Sequence, residues 1–103
     1  MAELFKLRYL PLFYQDLSQV HDYISHILQN PMAAKQLIES TEQAILNRLH
    51  NPLASSPYHS FKNRNFPYYS IPVKNYIVFY VVIDQVMEVR RFLYCKRNFS
   101  ALL

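Results

Sequence analysis

The C-terminal third of the chain contains three apolar, strand-like runs in close succession. They are Tyr69 to Val73, Tyr76 to Ile83 and Val86 to Cys95, separated only by Lys74-Asn75 and Asp84-Gln85. Connections of two residues join antiparallel neighbours, because parallel strands need a much longer crossover. The spacing therefore predicts an antiparallel meander of three strands.

Both turns of this meander must form without glycine, since the chain contains none. Tight hairpin turns place one or two residues in the left-handed region of backbone space. Asn and Asp tolerate positive φ better than other non-glycine residues. We therefore expect Asn75 and Asp84 to occupy the positive-φ positions.

Upstream of the meander the apolar pattern changes from strand-like to helical. Leu4 to Tyr9 alternates and predicts a short first strand, while apolar residues recur at steps of three and four from Pro11 to about Leu28. Asn30 and Pro31 have the character of an N-cap and a first helical residue, and the second helical pattern continues to Asn51-Pro52. Two helices joined by so short a break should form a hairpin.

The apolar faces of this hairpin need a partner, and the meander is the only large apolar surface available. The predicted fold is α+β: an N-terminal strand and a two-helix hairpin packed on a three- to four-stranded antiparallel sheet. The whole chain, residues 1–103, is expected to form one domain, because this length can bury a core without disulfide or metal support.

Composition excludes several functional classes. No apolar run has membrane-spanning length and no secretory leader is recognisable, so we expect a cytoplasmic protein with no membrane partner. The single cysteine, Cys95, excludes an internal disulfide and a thiolate-rich metal cluster. No spacing of His, Cys, Asp and Glu suggests a metal site, and no cofactor is expected.

Charge is distributed unevenly. From Lys62 to the C-terminus the chain has seven basic and two acidic residues, whereas the remainder has four basic and five acidic residues. A positive potential of this kind suits RNA, DNA or an acidic protein, although solvated strand ends would explain it equally well. In the last run, strand parity separates an odd set from a more polar even set that includes Arg90, so parity predicts that Arg90 faces the open side of the sheet.

The sequence IPVKNYIVFY followed by VRRFLYCKRN resembles the RelE/ParE superfamily of toxins from bacterial type II toxin–antitoxin modules. The resemblance covers nearly the whole chain and rests on the order and spacing of two elements. The first element is filled by Pro72, Val73, Tyr76, Phe79 and Tyr80, and the second by Arg91, Tyr94, Lys96 and Arg97. It implies a toxin that a small cognate antitoxin neutralises by wrapping around it.

The superfamily poisons cells in two different ways, and the resemblance alone does not choose between them. RelE-like members cut messenger RNA in the ribosomal A site and therefore act with the ribosome, whereas ParE-like members inhibit DNA gyrase. A third hypothesis is a degenerate, nontoxic basic binding module. The chain is thus either an mRNA endoribonuclease or a protein that only binds its target.

Ribonuclease chemistry needs a base, a cation that stabilises the phosphate, and an acid that protonates the leaving oxygen. The candidate catalytic residues are Arg97, one of Arg90 or Arg91, Lys96, and Tyr94 as the nearby proton donor. Parity favours Arg90 and the family alignment favours Arg91; a bulge near the strand end would reconcile the two.

Three departures from the RelE-like pattern favour the binding modes. Ile77 occupies the position of an arginine that contacts the scissile phosphate. A C-terminal tyrosine of such nucleases falls at about Leu103, and many relatives carry a histidine at the position of Tyr94. Among the histidines, His59 is the one predicted to lie near the cationic groove, beside Lys62 and Arg64, whereas His21, His26 and His50 are predicted to be solvated or helix-end residues.

Overall fold

The computed structural model describes residues 4–57 and 66–103, without the side chain of Ser100. A helical hairpin packs on one face of a four-stranded sheet, which confirms the predicted fold class. The elements in chain order are β1 (Lys6–Tyr9), α1 (Pro11–Asp22), a π-helical turn (Tyr23–Ile27), α2 (Pro31–Leu49), β2 (Tyr69–Val73), β3 (Tyr76–Ile83), β4 (Val86–Tyr94) and α3 (Phe99–Leu102).

The sheet has the strand order β1-β4-β3-β2 and is mostly antiparallel. Strands β2, β3 and β4 form the predicted meander. Strand β1 adds to β4 in parallel, with Lys6 opposite Val86 and Tyr9 opposite Val89. The helical hairpin between β1 and β2 provides the long connection that a parallel pair in one sheet requires.

The first helix differs from its prediction at its C-terminal end. Helix α1 stops at Asp22, and the chain continues as a π-helical turn that ends at Ile27. Ile27 and the following residue, Leu28, are 69% and 55% exposed. A regular helix continuing to about Leu28, as the apolar pattern predicts, would place both on the apolar face. A π turn inserts an extra residue into the helical repeat, which rotates the following side chains away from that face.

The second helix begins as the sequence predicts. Pro31 is its first residue, and the Asn30 Oδ1 atom accepts a hydrogen bond of 3.1 Å from the backbone N–H of Ala33. This contact satisfies one of the amides that the first helical turn leaves without an internal partner.

The two hairpin turns are only partly as expected. Asp84 has a φ of 51° and Gln85 a φ of 66°, so the prediction for Asp84 is confirmed. In the other turn the left-handed residue is Lys74, with a φ of 55°, and the prediction for Asn75 is wrong. The twist of a two-residue hairpin requires a positive φ at the first turn position, so turn geometry overrides residue preference here.

Apolar residues pack on both faces of the sheet. The helix-facing cluster contains Phe13, Leu37, Ile45, Tyr69, Ile71, Val73, Val78, Tyr80, Met87, Val89 and Phe92. The cluster on the opposite face contains Tyr68, Phe79, Val81 and Leu93, against which Phe99, Leu102 and Leu103 pack. The short helix α3 therefore covers part of the face that the hairpin leaves open.

The C-terminal end of α2 is tied to the sheet by Arg48. Its Nη1 atom donates to Ser55 Oγ at 2.8 Å and to Tyr80 Oη at 3.0 Å, and it lies 3.3 Å from the carbonyl oxygen of Ser70. The Tyr80 hydroxyl in turn donates to the carbonyl oxygen of Pro52 at 2.7 Å. This network fixes the chain where it leaves α2 against the edge strand β2.

Candidate functional site

A β-bulge in β4 determines where the cationic side chains point. Phe79 pairs with Arg91 and Tyr80 pairs with Val89, so Arg90 is the extra residue on β4. Val89 and Phe92 consequently both pack in the helix-facing cluster, although they are three residues apart. The bulge hypothesised from the sequence is therefore present, and Arg90 and Arg91 have separate surroundings.

Arg91 forms a bidentate ion pair with Asp16 of α1. Its Nε and Nη2 atoms donate to the two carboxylate oxygens at 2.7 and 3.0 Å, and the two side chains are only 14% and 10% exposed. Asp16 Oδ2 also accepts from the backbone N–H of Phe92 at 3.0 Å, while Arg91 Nη1 donates to the carbonyl oxygen of Leu102 at 2.9 Å. Hydrogen bonding to Asp16, which outweighs the effect of burial, raises the pKa of Arg91.

Arg90 lies on the face of the sheet away from the helical hairpin, as parity predicted. Its Nη2 atom donates to Glu88 Oε2 at 3.2 Å, and its guanidinium carbon is 5.8 Å from the centre of the Tyr68 ring. Arg8 Nη2 lies 3.5 Å from the other oxygen of the buried Glu88. Burial alone would lower the pKa of Arg90, but hydrogen bonds with Tyr68 and Glu88 raise it.

A groove of about 610 Å³ lies where α1 and the π-helical turn meet the ends of β3 and β4. Of the predicted site residues, Arg91, Tyr94 and Arg97 line it, whereas Arg90 and Lys96 do not. We call this feature the terminal groove; its lining residues are Asp16, Gln19, Val20, Tyr23, Leu28, Asn75, Tyr76, Arg91, Phe92, Leu93, Tyr94 and Arg97.

Tyr94 and Arg97 are the exposed members of the predicted site within this groove. Tyr94 is 40% exposed, and the centre of its ring lies 5.7 Å from the centre of the Tyr76 ring. The backbone N–H of Arg97 donates to the carbonyl oxygen of Tyr94 at 3.0 Å, which closes the turn after β4. Within residues 4–57 and 66–103, no carboxylate forms an ion pair with Arg97.

The neighbouring tyrosine Tyr76 has a perturbed hydroxyl group. Burial first, and then the proximity of Tyr94, Tyr23 and Cys95, raises the pKa of Tyr76 above 10.0. Its ring stacks on Phe92 with centres 5.1 Å apart. The part of the groove that the structure describes therefore combines the exposed cation of Arg97 with tyrosine rings on a packed apolar floor.

The remaining sequence candidates lie away from this arrangement. Ile77 packs in the cluster on the far face, together with Phe99 and Leu103. His21 Nδ1 lies 3.2 Å from Asp22 Oδ1, and His50 caps the C-terminus of α2. His59, Lys62 and Arg64 lie outside the described residues.

Asp16 is a member of the site that was not predicted from the sequence. A signal was nevertheless present, because Asp16 falls three residues after Phe13 and one before Leu17, on the apolar face of α1. A carboxylate on a buried helical face requires a charged or hydrogen-bonding partner. The cationic residues of β4 were the natural candidates for that partner.

No group of three or more metal-ligating side chains comes together in the part of the chain that the structure describes. Across the same ranges, no helix has both the length and the apolar character needed to cross a bilayer.

Comparison with known proteins agrees with this architecture. A family model described as the ParE toxin of the type II toxin–antitoxin system parDE matches residues 7–99. A search of the curated proteins found no match. A solved structure described as the chromosomal ParDE toxin–antitoxin system from P. aeruginosa superimposes with a TM-score of 0.70 and 11% sequence identity, covering 90% of this chain and 98% of that chain.

The fold and the family model together define a toxin of the RelE/ParE superfamily, as the sequence resemblance implied. Within it, the chain belongs to the ParE toxin family of type II toxin–antitoxin systems. Such a system implies a cognate antitoxin as the partner of the toxin.

Proposed function

We propose that this toxin arrests growth by binding DNA gyrase and inhibiting it, without cleaving messenger RNA. The observation that carries the proposal is the buried ion pair between Arg91 and Asp16. The family alignment makes Arg91 a candidate for contact with a scissile phosphate. In this chain the same guanidinium is committed to a carboxylate and to the backbone of α3.

Releasing Arg91 for catalysis would be costly. Asp16 accepts two hydrogen bonds from Arg91 and one from the Phe92 amide, and its side chain is 10% exposed. Breaking a buried ion pair from one side costs about 3–5 kcal/mol, because the remaining charge is left without a partner. A phosphate would have to compensate for that loss before it gained any stabilisation in the transition state.

Ile77 on strand β3 supports the same conclusion. It stands at a position where RelE-like nucleases share an arginine, and its side chain packs against the apolar cluster that contains Phe79 and Leu93. A second cation for the phosphate is therefore not supplied from this position.

The terminal groove suits recognition of a protein surface. Arg97 is exposed there beside Tyr94 and Tyr76. Arginine and tyrosine, together with tryptophan, are enriched at the energetic centres of protein interfaces. An acidic side chain of the target can pair with Arg97 while the tyrosine rings contribute apolar contact.

The proposal is tested with purified toxin in two assays, supercoiling by gyrase and mRNA cleavage on translating ribosomes. Wild-type toxin should inhibit supercoiling and leave the message intact. Arg97→Ala should weaken inhibition about tenfold or more, since an interfacial charge pair contributes on the order of 2 kcal/mol. Lys35→Ala, which removes an exposed cation from α2, is the matched control and should inhibit like the wild type.

Tyr94→Phe separates binding from catalysis, because it removes a hydroxyl and retains the ring. A toxin that only binds should keep its inhibition of gyrase within about twofold. An mRNA endoribonuclease that uses the hydroxyl as its acid should lose on the order of a hundredfold in cleavage. Cleavage by the wild type with unaffected supercoiling would contradict the proposal and would make Tyr94 and then His59 the residues to study.

A further inference from the structure

Four large apolar side chains are exposed together where α1 is joined to α2. They are Tyr23, Ile27, Leu28 and Met32, which are 50%, 69%, 55% and 63% exposed. We call these four residues the hairpin tip, because the connection between the two helices lies among them. Single apolar residues on a surface need no explanation, but a contiguous group of large ones marks an interaction site.

The backbone of this segment keeps these side chains out of the core. The N–H of Leu28 donates to the carbonyl oxygen of Tyr23 at 3.1 Å, five residues back, which closes the wide π-helical turn. Gln29 follows with a φ of 53°. The left-handed region commonly ends a helix, but glycine is favoured there because it has no Cβ. Two uncommon features therefore occur side by side, and π-helical turns are frequent at functional sites.

The hairpin tip is continuous with the terminal groove. Tyr23 and Leu28 line that groove together with Tyr94 and Arg97. Leu28 also lines a smaller cavity of about 290 Å³, as does Lys74 of the turn between β2 and β3. A partner seated in the terminal groove would therefore also contact the hairpin tip.

The border of this combined surface is cationic. Arg97 and Lys74 are exposed, and among the described residues no carboxylate forms an ion pair with either of them. The carboxylate that adjoins the tip along the chain, Asp22, lies 3.2 Å from His21 Nδ1. Protein interfaces commonly have an apolar centre and a polar, solvated rim. The complementary surface would have apolar side chains at its centre and acidic ones at its edge.

Shape and charge together favour a protein partner over a bilayer or a second copy of the chain. A bilayer surface could receive the protruding tip but could not fill the adjoining groove. In a symmetric pair of tips, Lys74 and Arg97 of each copy would approach a second cationic border, and like charges oppose association.

We propose that the hairpin tip is the apolar centre of the surface with which the toxin binds gyrase. Ile27 and Met32 contribute most to it, because they are its most exposed side chains. The inference rests on the proposed function, which assigns gyrase as the target. It adds that gyrase supplies an apolar depression with an acidic border. Burial of the tip provides affinity, while Arg97 and Lys74 orient the complex.

The test measures binding of purified toxin to purified gyrase by biolayer interferometry, together with inhibition of supercoiling. Ile27→Ser and Met32→Ser should each weaken binding by about tenfold, because burial of one aliphatic side chain contributes on that scale. Inhibition of supercoiling should weaken in parallel. Ile27→Leu and Met32→Leu retain the apolar character and should bind within about threefold of the wild type.

Leu53→Ser is the matched control, since Leu53 is 52% exposed and follows the C-terminal end of α2. Helix α2 has 19 residues and is roughly 28 Å long, so it separates Leu53 from the hairpin tip. Leu53→Ser should bind gyrase like the wild type. All variants should melt within about 3 °C of the wild type, because the substituted side chains are exposed. Lost binding at unchanged Tm would show that the tip contacts the target.

The possible failures can be told apart. If the double variant Ile27→Ser with Met32→Ser binds gyrase as tightly as the wild type does, the inference is wrong and the gyrase target stands. If the wild type does not bind gyrase, the proposed function and the inference fail together. If the double variant loses self-association, or binding to phosphatidylglycerol vesicles, while its gyrase binding is unchanged, the tip serves a second copy or a bilayer instead.

Discussion

Removing the carboxylate of Asp16 should destabilise the protein more than any other single charge deletion on α1. In Asp16→Ala, Arg91 keeps its buried position and its bond to the Leu102 carbonyl but loses both hydrogen bonds to the carboxylate. The Phe92 amide loses its acceptor as well. The cost of a buried charge left unpaired is about 3–5 kcal/mol, and each kcal/mol corresponds to roughly 4 °C in Tm for a domain of this size.

The assay is urea unfolding followed by circular dichroism, with Asp22→Ala as the matched control. Asp22 is on the same helix, but its side chain is 64% exposed and its described ionic partner is His21. Its removal should change the free energy of unfolding by less than about 0.5 kcal/mol. The double variant Asp16→Ala with Arg91→Ala should lose about 1–3 kcal/mol less unfolding free energy than the two single variants lose together. A cost below about 1 kcal/mol for Asp16→Ala would refute the claim that this pair holds α1 to β4.

Three further outcomes can be measured on the same apparatus. Burial, followed by the nearby Tyr94 and Tyr23, raises the pKa of Tyr76, so this side chain ionises at lower pH in the unfolded chain than in the folded protein. The free energy of unfolding should therefore fall as pH rises above about 10, and it should fall less steeply in Tyr76→Phe. Equal pH dependence in the two proteins would contradict this. Arg48→Met should lower the free energy of unfolding by about 1–3 kcal/mol because Ser55 and Tyr80 lose a donor, whereas exposed Lys35→Met should have little effect. Asn30→Ala should lower the free energy of unfolding by about 1 kcal/mol, because α2 loses its N-cap. An unchanged midpoint of urea unfolding would show that Pro31 alone defines the start of α2.

The parts of the fold that local rules govern were predictable from the sequence. The strands β2 and β3 have the predicted bounds, and β4 ends one residue early, at Tyr94. Two-residue spacers leave little freedom in pairing, and an N-cap followed by proline defines a helix start without tertiary information. The assignment to a toxin superfamily was also available, because it depended on the order of these same elements.

The features that were missed depend on contacts between distant segments. Strand β1 pairs in parallel with β4, and the apolar periodicity of Lys6–Tyr9 does not indicate which strand it pairs with or in which direction. The π-helical turn changes the helical repeat in Tyr23–Ile27 without any distinctive residue. The pairing of Asp16 with Arg91 joins residues 75 positions apart. Each of these is decided by packing, which single-sequence patterns describe only indirectly.

The bulge at Arg90 has a consequence for comparing this protein with its relatives. It divides β4 into two halves of opposite phase, so that even-numbered residues face away from the helices before it, and Phe92 faces toward them after it. A relative without the bulge would present the same surfaces with one residue fewer in this strand. Alignments drawn without a gap at this position would therefore equate residues that lie on opposite faces beyond the bulge, and any function transferred through them would reach the wrong side of the sheet.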